Sequence, residues 1–215
     1  MKSATKFGVV LFDFDGTVVD TGPGIVASMT KIDKELNLGL PISDTWRYIG
    51  PPLTAFAASL GIDEEKSSRF IRAFRAYYNT QGWKQSEPYP GIRQLLADLI
   101  DSGAKAYVCT SKPETIASMM MDYYALPNSG VCGSDEALGR FDKAEIIQYA
   151  ALRHGFPLSP ATVMVGDAPR DVTAGQECGL STVAVRYGYG RREDLDEADA
   201  GAYAGSVSAL RELLL

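Results

Sequence analysis

The stretch Phe7–Thr17 reads FGVVLFDFDGT, and its pattern is typical of a buried strand that ends in acidic residues. Its first six residues are almost wholly apolar and lack the alternation of a half-exposed strand. Continuous apolarity is typical of a strand that is buried on both faces, as in a parallel sheet. Similar short apolar runs recur at residues 104–109, 162–165 and 182–185. We therefore predict a parallel sheet whose first strand spans residues 7–12.

Helical patterns separate the later apolar runs. A stripe of apolar residues begins at Ile92 and stops at Gly103, and Pro113 is placed to open the next helix at its first position. Asp142 is placed to cap a helix that ends at Gly155. Strands that alternate with helices indicate right-handed βαβ units. The predicted fold class is α/β, a Rossmann-like doubly wound parallel sheet.

Residues 18–87 interrupt this alternation. They contain no convincing strand pattern, and their apolar residues recur at helical spacing. The stripes are Ile25, Met29, Ile32 and Leu36, then Leu53, Phe56 and Leu60, then Phe70, Phe74 and Tyr77. We predict a core domain of residues 1–17 and 88–215, with a small helical bundle of residues 18–87 inserted after the first strand.

The composition argues against nucleic-acid-binding, membrane-spanning and disulfide-rich proteins. The chain has 215 residues, a net charge of −6 and no run of lysine or arginine, so no basic footprint for nucleic acid is expected. No apolar run reaches the length of a membrane span. The three cysteines are scattered and odd in number, which argues against a disulfide framework. A cytoplasmic protein without nucleic-acid or membrane partners is therefore expected.

The first candidate site residues are Asp13 and Asp15. Two carboxylates two residues apart on an extended chain point to the same side, while Phe14 points away. Burying two like charges together is costly unless a cation shares them, and Mg²⁺ prefers hard oxygen ligands of this kind. The alternative is a surface turn, since Asp and Gly both favour turns. The apolar strand that runs directly into Asp13 favours the metal site.

A second acidic pair, Asp167 and Asp171, follows the apolar run 162–165. Asp171 lies one helical turn beyond Asp167, so both carboxylates can face one point. The alternative is a helix N-cap with an acid in the first turn. Together with Asp13 and Asp15, the pair is predicted to form the second half of a metal site.

Polar residues after the run 104–109 suggest phosphate binding. Thr110 and Ser111 offer hydroxyl and backbone N–H groups at a predicted strand-to-helix turn, a place where phosphate binds and where hydroxyls also cap helices. Lys143 begins a predicted helix, against the helix dipole, and a bound anion would compensate for that placement. Lys112 is a rival for the same role. His154 is read as a residue favoured by the dipole at a helix end.

All these pieces follow predicted strands, at the edge where open α/β sheets bind ligands. In chain order, Asp13-x-Asp15-Gly16-Thr17, Thr110, Lys143 and Gly166-Asp167-x-x-x-Asp171 resemble the haloacid dehalogenase superfamily. Residues 18–87 resemble that family's helical cap. The stretches Ile49–Leu53 and Tyr89–Gly91 further resemble its phosphoglycolate phosphatase and 5′-nucleotidase-like branch.

The resemblance implies a role for each matching residue. Asp13 would be the nucleophile that becomes aspartyl-phosphate, and Asp15 the general acid and base. Mg²⁺ would be held by Asp13, the backbone carbonyl of Asp15, Asp167 and Asp171, and the phosphoryl oxygens by Thr110, Ser111 and Lys143. The acid at position 15 favours phosphate chemistry, because the dehalogenases that resemble this chain lack it.

The expected activity is Mg²⁺-dependent hydrolysis of a small phosphate monoester, phosphoglycolate-like or nucleotide-like. One alternative is a phosphomutase of the β-phosphoglucomutase type, and another is a phosphate-binding regulatory protein without turnover. Arg47 and Gly50 are the candidates for substrate contacts from the cap. The expected partner is a small phosphorylated metabolite, and the expected state is a monomer or homodimer.

Overall fold

The computed structural model describes residues 5–39, 49, 53–59, 61 and 63–215. Six of its strands form one parallel sheet, and two short strands, Val19–Asp20 and Glu87–Pro88, form a second sheet. The strands are β1 Val9–Phe12, β2 Val19–Asp20, β3 Glu87–Pro88, β4 Lys105–Pro113, β5 Gly130–Ser134, β6 Thr162–Gly166, β7 Ser181–Val185 and β8 Ala202–Ala204. The order in the six-stranded sheet is β5-β4-β1-β6-β7-β8, and each neighbouring pair is parallel. The predicted α/β fold is confirmed.

Helices connect the strands. They are α1 Gly22–Leu36, α2 Leu53–Ser59, α3 Glu64–Tyr78, α4 Ile92–Asp101, α5 Glu114–Tyr123, α6 Lys143–His154, α7 Pro169–Glu177, α8 Arg192–Glu197 and α9 Val207–Leu214, with a 3-10 helix at Gly82–Gln85. Among the described residues, no helix is both long and apolar enough to cross a membrane.

The chain divides into two compact units. One comprises Met1–Val19 and Pro88–Leu215 and contains the six-stranded sheet. The other is Asp20–Glu87 and contains α1, α2, α3 and the 3-10 helix. The role of this second unit as a cap over a substrate stays a prediction.

The core of the larger unit lies on both faces of the sheet. All four residues of β1 are buried, because β4 and β6 flank this strand and helices cover it. On one face, Leu11 packs in a cluster with Ile146 and Ile147 of α6 and with Met164. Burial of each such side chain stabilises the fold by roughly 1.5–3 kcal/mol.

The Asp20–Glu87 unit has its own aromatic core. Phe70 lies with its ring centroid 5.7 Å from that of Phe56 and 6.1 Å from that of Phe74, which stacks on Tyr78 at 5.4 Å. Asp63 caps α3 by accepting the Lys66 N–H at 2.8 Å. Packing thus explains the helical spacing of Phe70 and Phe74, but Tyr78 rather than the predicted Tyr77 completes the buried stripe.

The structure corrects some local expectations. Pro113 is the N-cap of α5 rather than its first helical residue, because β4 extends to Pro113 with an irregular register after Thr110. The sequence patterns also missed β5 and β8, two short strands at the edges of the six-stranded sheet. The expectation of no strand in residues 18–87 is wrong at its two ends, where the two-residue strands β2 and β3 pair with each other. Asp142 does cap α6, which ends at Gly155 as predicted.

Candidate functional site

Parallel pairing brings the ends of β1, β4 and β6 together. Phe12 is in register with Val108 of β4 and Val165 of β6, so the residues that follow these three strands share one edge of the sheet. Asp13 comes directly after β1, and its backbone N–H donates to the Val165 carbonyl at 2.8 Å. Gly16 then has a φ of +79°, which lets the chain turn back.

Three carboxylates meet at this edge. Asp13, Asp167 and Asp171 each place one oxygen within 4.8 Å of the others. All three are buried, with exposed fractions of 1%, 3% and 1%. We call these three residues the acidic cluster. Asp167 follows β6, and Asp171 lies in the first turn of α7, where its Oδ2 accepts the Ala168 N–H at 3.1 Å.

Lys143 supplies positive charge inside the acidic cluster. Its Nζ lies 2.6 Å from Asp13 Oδ1 and 2.8 Å from Asp171 Oδ1, and it donates to the Cys109 carbonyl at 3.0 Å. The side chain is buried at the start of α6, so these carboxylates are the anions that compensate for a lysine at a helix N-terminus.

Asp167 lacks such a partner. Among the described residues, the ion pairs of the cluster join Lys143 to Asp13 and Asp171, and none includes Asp167. Its Oδ1 accepts the Thr17 hydroxyl at 3.3 Å, and its Oδ2 accepts the Tyr189 N–H at 2.7 Å. Burial, together with the charges of Asp13 and Asp171, raises the pKa of Asp167 to about 8.

Burial and neighbouring charges also shift the pKa values of Asp13, Lys143 and Asp171. Burial alone would raise the pKa of Asp13, but Lys143 and Arg170 outweigh it and hold that pKa below its ordinary value. Burial would lower the pKa of Lys143, but Asp13 and Asp171 raise it. Burial raises the pKa of Asp171. The Asp13–Lys143 pair is therefore ionised at neutral pH, whereas Asp167 in the metal-free protein favours its protonated form.

This donor set fits a divalent cation. Three buried carboxylates lie close together, and the Lys143 ammonium pairs with Asp13 and Asp171 only. Among the described residues Asp167 forms hydrogen bonds but no ion pair, and the charge of Arg170 does not offset the rise in its pKa. Uncompensated buried charge is costly, so a hard cation bound to carboxylate oxygens would stabilise the arrangement. The cluster can hold a metal ion, and Mg²⁺ is the identity proposed below.

Asp15 lies apart from the acidic cluster. Its Oδ1 is 2.9 Å from the Nζ of Lys112, with side-chain exposures of 15% and 6%. The Lys112 ammonium also lies 5.7 Å from the centroid of the Phe14 ring. The two rival lysines thus have different partners: Lys143 pairs with Asp13, and Lys112 pairs with Asp15. The predicted metal contact of Asp15 through its backbone carbonyl stays a prediction.

Thr110 and Ser111 lie within β4 rather than in a turn, which corrects the expected setting. Thr110 is buried, and its hydroxyl accepts the Lys112 N–H at 3.2 Å, whereas Ser111 is half-buried. The register places Thr110 close beyond the residues that pair with β1. Arg47 and Gly50 lie outside the described residues.

Sequence reasoning missed the segment Tyr187–Gly190, which reads YGYG and follows β7. Its backbone contacts Asp167 through the Tyr189 N–H. The signal was available, because closely spaced glycines follow an apolar strand here as Gly16 does after β1. His154 is confirmed as a helix-end residue; it packs on Tyr107 with ring centroids 4.5 Å apart.

The fold and the site can be compared with known proteins. The family model described as Haloacid dehalogenase-like hydrolase matches residues 10–185. The chain belongs to this family. Its membership confirms the resemblance carried by the sequence motifs, and it covers the whole acidic cluster.

Several known proteins are similar to this chain over most of its length. Tyrosine-protein kinase PtkA of Mycobacterium tuberculosis is 32% identical over 96% of this chain and 72% of its own length. A 5′-nucleotidase of Pseudomonas aeruginosa is 28% identical over 99% and 97%. A phosphoglycolate phosphatase of Caulobacter vibrioides is 31% identical over 84% and 79%.

A solved structure shows the same fold. The crystal structure of a predicted phosphatase from Clostridium acetobutylicum superposes with a TM-score of 0.87 and 29% identity, over 98% of each chain. Family membership, together with relatives named as phosphatases, supports a phosphoric monoester hydrolase.

Proposed function

We propose that this chain is a Mg²⁺-dependent phosphatase that transfers a phosphoryl group from a small phosphate ester to Asp13 and then to water. One observation carries the proposal. Asp13 follows the central strand, is buried beside Asp167 and Asp171, and has the Lys143 ammonium 2.6 Å from one oxygen. A buried and oriented carboxylate of this kind can act as a nucleophile.

The chain's own residues provide most of what phosphoryl transfer needs, which is positioning and neutralisation of charge. Lys143 orients the Asp13 carboxylate and offers positive charge to the incoming phosphoryl oxygens. Thr110 and Ser111 would donate hydrogen bonds to those oxygens. Asp13, Asp167 and Asp171 would hold Mg²⁺, which when bound neutralises charge on the phosphoryl group.

Asp15 is the proposed general acid and base. It lies two residues from Asp13 but outside the acidic cluster, and its ion-pair partner is Lys112 rather than Lys143. It would donate a proton to the leaving oxygen and later accept one from the hydrolytic water, as general acid–base catalysis requires. Lys112, at 2.9 Å from Asp15 Oδ1, orients this carboxylate.

The proposed substrate is a small phosphorylated metabolite, phosphoglycolate-like or nucleotide-like. Relatives named phosphoglycolate phosphatase and 5′-nucleotidase support this choice. We further propose a monomer or homodimer in a reducing cytoplasm. Cys109, Cys132 and Cys178 are all free and buried, which is compatible with that compartment.

Transfer to a hydroxyl group is the second candidate. A relative with 32% identity is named a tyrosine-protein kinase, so a phosphoryl group on Asp13 could pass to a tyrosine instead of water. The mutase alternative would pass it to a sugar hydroxyl. A regulatory protein without turnover is disfavoured by the presence of Asp13, Asp15 and Lys143, with each of the two carboxylates held in an ion pair with a lysine.

The test is hydrolysis of a panel of metabolite phosphates with Mg²⁺ and with EDTA. We expect Mg²⁺-dependent phosphate release by the wild-type protein and a loss of roughly 10³-fold or more in Asp13→Asn. The exposed Asp122→Asn is the matched control and should retain activity. Near-wild-type turnover by Asp13→Asn would refute the nucleophile. Phosphotyrosine or an isomerised sugar phosphate, formed faster than free phosphate, would favour a transferase instead.

A further inference from the structure

The segment Tyr187–Gly190 lies at the same edge of the sheet as Asp167. Strand β7 pairs with β6 in parallel, with Val165 in register with Val183 and Gly166 with Ala184. The chain that leaves β7 therefore runs beside the chain that leaves β6, where Asp167 is the first residue. We call Tyr187–Gly190 the YGYG segment.

The backbone of the YGYG segment wraps closely around Asp167. The Tyr189 N–H donates to Asp167 Oδ2 at 2.7 Å. A Cβ on Gly188 would lie 2.4 Å from the Asp167 Cβ and from the Gly16 carbonyl oxygen, and one on Gly190 would lie 1.9 Å from the Asp167 carbonyl oxygen. Only glycine allows this approach, so the glycines bring a backbone donor to the carboxylate.

The second oxygen of Asp167 is held indirectly by the same segment. Tyr187 donates its hydroxyl proton to the Thr17 carbonyl at 3.0 Å, and Thr17 donates its hydroxyl proton to Asp167 Oδ1 at 3.3 Å. The Tyr187 ring packs edge-on against Tyr89, with centroids 4.8 Å apart. Burial, Tyr89 and Asp167 all raise the pKa of Tyr187, so its hydroxyl remains a donor. Both oxygens of Asp167 therefore depend on the YGYG segment.

We propose that the YGYG segment aims the Asp167 carboxylate at the divalent cation, with Tyr187 as the positioning residue. This inference rests on the proposed metal site. Mg²⁺ demands near-ideal octahedral geometry, so the orientation of each ligand affects its affinity. Groups that orient metal ligands typically change affinity by about 10–100-fold when they are removed. Without the Tyr187 hydroxyl, the Thr17 carbonyl loses its hydrogen bond. Thr17 is then held less firmly, and so is its own hydroxyl, which donates to Asp167 Oδ1.

Calorimetric titration of Mg²⁺ into the purified protein measures this effect without substrate. For Tyr187→Phe, which keeps the ring, we expect the Kd for Mg²⁺ to rise roughly tenfold. Phosphatase turnover should return towards the wild-type value at saturating Mg²⁺, with little change in the KM for phosphate ester. A general loss of structure would not give that pattern.

Tyr203→Phe is the matched control. Its hydroxyl also braces the backbone, by accepting the Ala200 N–H at 3.1 Å and donating to the Leu195 carbonyl at 3.4 Å, but it does not contact Thr17 or Asp167. This variant should bind Mg²⁺ as the wild-type protein does. Equal Mg²⁺ affinity in Tyr187→Phe and wild type would overturn the inference, as would an equal loss in both tyrosine variants.

The proposed function can fail separately. If the wild-type protein binds Mg²⁺ and Tyr187→Phe binds it more weakly, but neither hydrolyses any phosphate ester, the positioning role stands and the phosphatase proposal falls. If the wild-type protein binds no divalent cation in the titration, both proposals fall.

Discussion

Replacement of Asp167 by asparagine should stabilise the metal-free protein, and the gain should grow with pH. The carboxylate is buried beside Asp13 and Asp171, and these surroundings raise its pKa to about 8. The unfolded chain has an ordinary aspartate pKa of about 3.9. Between these two values the folded state binds a proton that the unfolded state releases. As pH rises towards the pKa of Asp167 in the folded state, the free energy of unfolding of the wild-type protein therefore falls.

The size of the effect follows from that difference. Each pH unit inside the window removes about 1.4 kcal/mol from the free energy of unfolding. From about pH 5 to about pH 7, the wild-type protein should lose roughly 3 kcal/mol that Asp167→Asn does not lose. For a chain of this length, that difference corresponds to about 5–10 °C in the unfolding midpoint. Bound Mg²⁺ favours the ionised carboxylate and should cancel the loss in the wild-type protein only.

Thermal unfolding in EDTA and in Mg²⁺, followed across this pH range, is the assay. The exposed Asp122→Asn is the control for a change of carboxylate to amide, and its curve should run parallel to that of the wild-type protein. Parallel curves for Asp167→Asn and wild type in EDTA would refute the electrostatic reasoning. So would an equal Mg²⁺-dependent rise in the unfolding midpoint of both proteins.

Two further substitutions test the lysines. Lys143→Met leaves Asp13 and Asp171 buried without the ammonium that pairs with them. Denaturant unfolding should show a free energy of unfolding lower by roughly 3–5 kcal/mol. An unchanged free energy of unfolding would contradict the ion-pair network. Lys112→Met releases Asp15, so kcat/KM should fall roughly tenfold for an alkyl phosphate but little for p-nitrophenyl phosphate, whose leaving group needs no acid. Equal losses for both esters would argue against an orienting role.

The sequence predicted those parts of the site that follow from strand direction. Asp13 and Asp167 each follow an apolar run, and parallel strands end at the same edge, so their meeting required no knowledge of packing. The choice between Lys112 and Lys143 was different. Both lie near helix starts, and only the folded side chains show which carboxylate each one pairs with.

The YGYG segment was missed for a physical reason. It acts on Asp167 through a backbone N–H and through the absence of side chains at Gly188 and Gly190, and such contacts leave no trace in side-chain chemistry. Strands β5 and β8 were missed because they are short and rich in glycine or alanine, so apolar runs do not mark them. The extent of β4 past Thr110 was hidden by polar residues that resemble a turn.

The central place of β1 has a consequence for biosynthesis. This strand is translated before both of its neighbours, residues 105–108 and 162–165, which lie about 90 and 150 residues further along the chain. A nascent chain that stops short of residue 162 carries an apolar strand with an unpaired edge, and such edges invite aggregation. The three carboxylates can meet only when most of the chain has emerged, so a partly translated polypeptide should depend on chaperones and should be unable to bind the cation.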